Sequence, residues 1–270
     1  MKIFYSKLLP TTILLFTTIL LFAQTDSTKI SFDVNFGADI MSRYVWRGTE
    51  FGGNAPSIQP TISFSYHNIE IGAWGAYSIA GANTSQEMDL FIDYTFLSDK
   101  FTIIFTDYYF PSDTGSYEYF NYENKTGHIG EIGLIFNGTK KIPFSLSAYV
   151  NIFGNDAPKL GDNPVDTINF NNKTGIQYSN YFELGYNTNI KNLNLNIFMG
   201  FTLNKPESSN DTNGFVGESG FYGNGRGIVN LGLTLSKNIK VTNHYSLPIT
   251  SSLITNPQAQ KVYLLFGISF

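Results

Sequence analysis

The sequence contains no cysteine and few charged residues. The absence of Cys from all 270 residues excludes disulfides, cysteine-ligated zinc, iron–sulfur clusters and thiol nucleophiles. Charged residues make up 14% of the chain, against about 25% in a typical soluble domain. With 42% hydrophobic residues beside them, these charges are too few for an ordinary water-exposed surface. The net charge of −4 provides no basic stripe, so we expect no nucleic-acid partner.

Long apolar runs are also scarce. One apolar stretch covers residues 13–22 behind Lys2 and Lys7, and it is too short for the roughly 20 residues of a membrane-spanning helix. We therefore expect residues 1–23 to be a cleaved signal peptide, with Leu21 and Ala23 beside the cleavage site. Residues 24–270 are expected to form one domain. If that domain lies in a membrane it must be a β-barrel, because lipid tolerates only helices and closed sheets.

From residue 30 onward, apolar residues alternate with polar or small ones, which is the period of a half-buried strand. Most of the runs approach the ~9–11 residues that a tilted transmembrane strand needs, and an even count is typical of bacterial outer-membrane barrels. A soluble β-sandwich would show the same alternation. The alternation predicts twelve strands, at about 30–48, 56–66, 69–79, 86–96, 101–110, 128–136, 144–153, 177–187, 193–203, 227–236, 241–252 and 261–270.

Loop lengths favour the barrel over the sandwich. Short connections follow the even-numbered predicted strands, whereas long ones at 111–127, 154–176 and 204–226 follow odd-numbered strands. Short periplasmic turns alternating with long extracellular loops are typical of outer-membrane barrels. Aromatic residues gather at the predicted strand ends, where Tyr44 and Trp46 are expected to face lipid in the upper girdle. The fold class predicted is an all-β, antiparallel, up-and-down transmembrane barrel of about 12 strands.

The last strand indicates partners in the cell envelope. It alternates apolar residues up to the terminal Phe270, a pattern that resembles the signal read by the outer-membrane assembly machinery. We expect an outer-membrane location in a Gram-negative bacterium, with that machinery, membrane lipids and lipopolysaccharide as partners. The oligomeric state stays open, and no cofactor or metal is expected.

Several segments resemble the TorF-like porin family of bacterial outer-membrane proteins. The resemblance is clearest at 42–48, Ser-Arg-Tyr-Val-Trp-Arg-Gly, and continues through the motifs at 56–60, 72–75 and 87–90 before thinning out after about Pro111. The resemblance implies a barrel with a pore, and it supplies no substrate.

Inward-facing charges are mostly acidic by the same alternation. Such side chains either line a water path and set its ion preference, or fill a sealed lumen. We expect Arg43 and Arg47 to form a constriction with Glu87, Asp89 and Asp39. Trp74 would be its packing wall, and Glu70 and Asp93 would also line the pore. The inward acids are Asp33, Asp39, Glu70, Glu87, Asp89, Asp93, Glu131 and Glu183.

The function that these features predict is passive, mildly cation-preferring passage of small solutes or ions. One alternative is a closed structural or adhesive barrel with binding loops. A less favoured alternative is a lipid-modifying enzyme using His244, Ser246 and Asn256, whose spacing resembles that of outer-membrane phospholipases. Since the alternation points His244 and Ser246 into the lumen, we expect no catalytic residues and no enzyme.

Overall fold

A computed structural model describes residues 32–79, 86–111, 118–123 and 126–270. Residues 34–270 make up a compact unit, and the predicted signal peptide lies outside the described residues. In the part of the chain that the structure describes, no helix is long and apolar enough to cross a membrane. The strands are β1 (Asp33–Met41), β2 (Val45–Trp46), β3 (Thr49–Glu50), β4 (Ser57–Tyr66), β5 (Ile69–Ser78), β6 (Gln86–Phe96), β7 (Phe101–Tyr109), β8 (His128–Phe136), β9 (Phe144–Gly154), β10 (Pro158–Leu160), β11 (Lys173–Ile176), β12 (Asn180–Ile190), β13 (Leu193–Thr202), β14 (Gly227–Lys240), β15 (Ser246–Asn256) and β16 (Lys261–Ser269).

Twelve of these strands close into an antiparallel barrel in the order β1-β16-β15-β14-β13-β12-β9-β8-β7-β6-β5-β4. The predicted fold class is therefore confirmed. Consecutive wall strands pair with each other, as hairpin connections require. The shortest turns place a residue in the left-handed region, such as His67 at φ 52° and Lys191 at φ 57°. Turns of two residues between antiparallel strands favour such positive φ values.

The pleat of each wall strand sorts side chains between the outside and the lumen. Phe64 and Ile71 pair across β4 and β5, face outward and are 51% and 53% exposed. Ser63, the neighbour of Phe64, points inward and is buried. The outer surface of the barrel is therefore apolar, whereas polar, small and several aromatic side chains face the lumen.

The first predicted strand, 30–48, is wrong at its upper end. β1 ends at Met41, and the chain then leaves the wall to form the short β2–β3 hairpin. Arg47 and Gly48 make its turn with φ values of 48° and 78°, both positive as a type I′ turn requires. We call residues 43–50 the inserted hairpin. Because it turns into the lumen, Tyr44 is buried there instead of facing lipid.

Two other predicted boundaries also shift. The alternation predicts a short turn at 237–240, but β14 continues through Lys240 and β15 starts at Ser246. The apolar alternation weakens here although the backbone pairing continues, with Lys240 opposite Ser246. The strand expected at 177–187 runs instead from Asn180 to Ile190.

The long loops 155–179 and 203–226 are joined to each other at the end of the barrel opposite the short turns. The Asn171 amide donates to the Gly214 carbonyl oxygen at 3.0 Å and its oxygen accepts from the Val216 N–H at 3.0 Å. The Gln177 amide donates to the Ser219 carbonyl oxygen at 3.1 Å. The small β10–β11 sheet belongs to the first of these loops. We call this end of the barrel the loop end, and the other the turn end.

Candidate functional site: the inserted hairpin and the lumen

Arg47 lies at the tip of the inserted hairpin and forms a buried ion pair with Glu131 of β8. Its two terminal nitrogens donate to the two carboxylate oxygens at 2.5 and 2.9 Å. The side chains are only 9% and 2% exposed. A bidentate pair is the strongest geometry available to these groups. Because unpairing either buried charge is costly, this contact fixes the hairpin tip to the wall.

Aromatic residues surround the Arg47 guanidinium. Its carbon lies 4.3 Å from the Trp46 ring centroid, 4.0 Å from that of Tyr149 and 4.6 Å from that of Tyr181. These distances allow cation–π attraction. The Tyr108 and Tyr222 hydroxyls donate to the Glu131 carboxylate at 2.8 and 3.1 Å. The pair is therefore enclosed by side chains from β8, β7, β9, β12 and loop 203–226.

The backbone of the inserted hairpin also lies in close contact with the barrel wall. The Asn256 side-chain amide donates to the Gly48 carbonyl oxygen at 3.2 Å. A Cβ atom at Gly48 would collide with the Val229 carbonyl oxygen of β14. Val229 is fully buried and packs with Tyr181 and Tyr222. The hairpin thus fills the lumen between β8 on one side and β14 and β15 on the other.

Arg43 has a different environment. Its Nη1 donates to Glu50 at 2.9 Å and to Asn54 at 3.1 Å. All three residues belong to the segment between β1 and β4, and the Arg43 side chain is 38% exposed. Arg43 therefore braces the inserted hairpin internally and makes no ion pair with the barrel wall among the described residues.

A pair of buried carboxylates lies on β6 beneath the hairpin. Glu87 and Asp89 are two residues apart and both are buried. The Tyr44 hydroxyl donates to Glu87 Oε2 at 2.7 Å, and the Tyr44 ring lies 5.5 Å from the Trp74 ring. Asp89 Oδ1 is buried without a hydrogen-bond partner among the described residues.

The expected pairing of both arginines with Glu87, Asp89 and Asp39 is therefore wrong. Arg43 pairs with Glu50, and Arg47 with Glu131. The physical reason is the inward turn at Ser42, which carries Arg47 across the lumen instead of leaving it on β1. Asp39 stays on the wall opposite Ser269 and, in the described part of the chain, pairs with neither arginine.

Glu70 and Asp93 lie away from the hairpin, near the turn end. They are direct cross-strand partners on β5 and β6. With Ser65 and Thr95 they line a cavity of about 280 Å³.

A second cavity, of about 460 Å³, opens at the turn end on the opposite wall. Amide and hydroxyl side chains from β12 to β15 line it, including Asn194, Asn196 and Ser236. The lumen of the turn end therefore has one acidic wall and one uncharged polar wall.

His128 holds Tyr119, which lies in the described part of the segment between β7 and β8. His128 is fully buried; Nδ1 lies 2.9 Å from Asp107 Oδ1 and Nε2 lies 2.6 Å from the Tyr119 carbonyl oxygen. The Asp107 carboxylate and the Tyr119 carbonyl oxygen thus hold the imidazole from both ring nitrogens. The rings of Tyr109 and Tyr122 lie 4.7 and 4.4 Å from the imidazole centroid.

Glu218 holds the two long loops together. Its carboxylate accepts from the Leu160 N–H at 2.9 Å and from the Glu207 N–H at 3.0 Å. Lys159 Nζ lies 3.2 Å from Oε1. Burial opposes ionisation of Glu218, but these two N–H groups and the Lys159 ammonium outweigh it. The pKa of Glu218 therefore lies below its ordinary value.

The residues that resemble a phospholipase site do not come together. His244 lies in the turn between β14 and β15 at the turn end, Ser246 begins β15, and Asn256 ends β15 at the loop end. Ser246 and Asn256 are ten positions apart on one strand, or about 33 Å. No group of three or more His, Asp or Glu side chains in the described ranges is placed to hold a metal ion.

Sequence reasoning missed several residues of this site. Glu131 was recognised as inward-facing, but it was not assigned to the constriction. The strand alternation assigns no role to Tyr222, which lies in loop 203–226. The glycines around it, Gly217, Gly220, Gly223, Gly225 and Gly227, could have indicated a segment that approaches other backbone closely.

No family model matches the chain. No curated protein matches it either. A solved structure from work on the in-meso crystallization of membrane proteins matches with a TM-score of 0.42 and 10% sequence identity, over 89% of this chain and 83% of that chain.

Proposed function

We propose that this chain is an outer-membrane barrel of a Gram-negative bacterium that passes small solutes or ions. The membrane location is supported by the apolar outer surface of the closed barrel, where side chains such as Phe64, Ile71 and Phe105 are exposed. A water-facing surface of this kind would aggregate, whereas lipid covers it at no cost. The proposal includes the signal peptide, the envelope partners and kinship with the TorF-like porins.

The polar cavities in the lumen support a channel. At the turn end, polar side chains surround open space of about 460 and 280 Å³. At the loop end, the inserted hairpin narrows the lumen and is fixed by the Arg47–Glu131 pair. We propose that this pair is the latch of the constriction, and that the width of the pore depends on whether the hairpin is seated.

The charges that remain unpaired in the lumen favour cations. Arg47 is neutralised by Glu131 and Arg43 by Glu50. The acidic side chains of Glu70 and Asp93 remain beside the open cavity at the turn end. A field of one sign in a narrow lumen concentrates the opposite charge. Mild cation preference follows from this distribution.

A closed barrel with binding loops is the second candidate. It is favoured by the packing of Tyr181, Tyr222 and Val229 around the hairpin, and by the hydrogen bonds that join the two long loops. A barrel of this kind would display an ordered loop surface and conduct nothing.

Planar-bilayer recording of the purified full-length protein separates the two. We expect discrete conductance steps and a reversal potential that favours potassium over chloride. In the double variant Arg47→Met/Glu131→Gln, which removes both charges of the latch, conductance should rise. The variant Lys159→Met/Glu218→Gln, which removes an ion pair between the loops, serves as the matched control.

Folding of every variant is checked by heat-modifiable gel migration. The absence of conductance from both the wild type and the folded latch variant would support the closed barrel. Conductance with a chloride-favouring reversal potential would contradict the cation preference alone.

A further inference from the structure

The uncharged wall of the lumen at the turn end has a regular arrangement. Pairing places Asn187 opposite Asn196, and Asn196 opposite Thr234. One step lower, Asn189 lies opposite Asn194, and Asn194 opposite Ser236. The rows continue on β15 with Ser252 and Thr250. Four strands thus present two parallel rows of amides and hydroxyls, about 7 Å apart along each strand.

Seven of the eight side chains line the cavity, whereas Ser252 is buried against the Thr234 hydroxyl. Asn187, Asn189 and Asn194 are exposed although they point into the lumen. Asn196 Oδ1 is buried without a hydrogen-bond partner among the described residues. A buried acceptor left unpaired is costly, so the site is suited to a ligand that brings a donor.

The chemistry of the wall selects a class of ligand. Each Asn offers two donors and one acceptor group, and each hydroxyl can both donate and accept. None of the eight residues in the two rows carries a charge, whereas the opposite wall carries Glu70 and Asp93. Adjacent donors and acceptors without charge match neutral molecules that bear several hydroxyl groups. The cavity of about 460 Å³ falls within the roughly 300–1,000 Å³ of small-molecule sites.

We infer that the two rows on β12–β15 form a binding site for a neutral polyhydroxylated solute of monosaccharide to disaccharide size. The inference rests on the proposed channel function and names the solute that the channel would take. Binding is expected to be weak, in the millimolar range, since a passage site must also release its solute.

Side-chain amide NMR of the full-length protein in detergent micelles tests the site directly, with D-glucose as the probe. We expect saturable shifts of the Asn194 and Asn196 side-chain signals with increasing glucose. Glycine betaine, a small solute without hydroxyl groups, should not reproduce them. In Asn194→Val/Asn196→Val, glucose affinity measured at Asn187 and Asn189 should fall about tenfold.

Glu70→Gln/Asp93→Asn, on the opposite wall, is the control and should leave glucose affinity unchanged. Failure of glucose to shift Asn194 and Asn196 in the wild type, or equal shifts with betaine, would overturn the inference even if the Val variant failed to fold. Bilayer conductance is recorded separately. Conductance without glucose binding would contradict only the proposed binding site. Glucose binding without conductance would contradict only the proposed channel function.

Discussion

At the residue scale, Gly48 determines whether the inserted hairpin can reach its seat. Its φ of 78° lies in the left-handed region, which costs other residues roughly 1–2 kcal/mol. A Cβ atom there would also meet the Val229 carbonyl oxygen, which belongs to the wall backbone and cannot turn away. Gly214 has the same φ of 78° but no atom within 4 Å of its would-be Cβ. The chain thus holds two glycines of equal backbone strain and different surroundings.

Gly48→Ala and Gly214→Ala are therefore a matched pair. We expect Gly214→Ala to lower the free energy of unfolding by about 1–2 kcal/mol. Gly48→Ala should lower it by at least about 3 kcal/mol, because overpacking adds to the backbone strain. Urea titration in lipid vesicles, followed by the fluorescence of Trp46 and Trp74, measures both. Equal losses in the two variants would show that the hairpin is not seated against β14.

Arg47 shows what the sequence alone can predict about a single residue and what it cannot. An inward arginine in a narrow barrel predicts a carboxylate partner, because an unpaired buried charge is costly. The identity of that partner depends on where the chain leaves the wall. Alternation continued through Tyr44 and Trp46 without a break, so Arg47 was assigned to β1 and paired with Glu87 and Asp89. The structure pairs it with Glu131.

At the element scale, wall strands were predictable and the segments inside the lumen were not. A wall strand has one apolar and one polar face, so its period of two is visible in the sequence. The inserted hairpin is surrounded by side chains on all sides. Its alternation of residues therefore does not indicate which side faces lipid. The same limit applies to loop 203–226, whose Tyr222 packs against Trp46 at a centroid distance of 6.0 Å.

The two long loops should separate in acid. The pKa of Glu218 is lower in the folded loops than its ordinary value of about 4.3. Its contribution is therefore present above the ordinary value and is lost as pH falls through the lowered one. The Leu160 and Glu207 amide proton shifts, followed by NMR, should change with a shared midpoint below about 4.3.

Glu218→Gln is the control for that titration, since its side chain cannot ionise. The same two amides should then show no such midpoint. A shared midpoint at or above the ordinary value in the wild type would contradict the assignment of Glu218 as the anionic link between the loops.

At the scale of the whole molecule, the barrel follows from the sequence because several independent patterns agree. Strand period, the even count and the loop lengths all lead to the closed twelve-stranded sheet. What occupies the lumen depends on contacts between distant segments, which no local pattern records. That the turn end has one acidic and one uncharged wall can likewise be recognised only from the register of β4–β7 and β12–β15.

The proposed orientation can be tested with a chain that has no cysteine of its own. Val165 lies in a long loop and is 85% exposed, whereas Lys140 lies exposed in a turn at the other end. In intact cells, a membrane-impermeant maleimide should label Val165→Cys and leave Lys140→Cys unlabelled. Lysed cells should show labelling of both. The reverse labelling pattern in intact cells would show that the barrel has the opposite orientation in the membrane.

The inserted hairpin also has a consequence for the order of assembly. It lies near the start of the barrel in sequence, yet its anchors lie 84 residues away at Glu131, 175 at Tyr222 and 208 at Asn256. It can therefore dock only after nearly the whole chain has been placed. We expect Trp46 to become shielded from an aqueous quencher after the heat-modifiable form has appeared; shielding before that form would contradict this order. Docking of the hairpin would then act as a check that the sheet has closed correctly, because a barrel with a slipped register would have no matching seat for it.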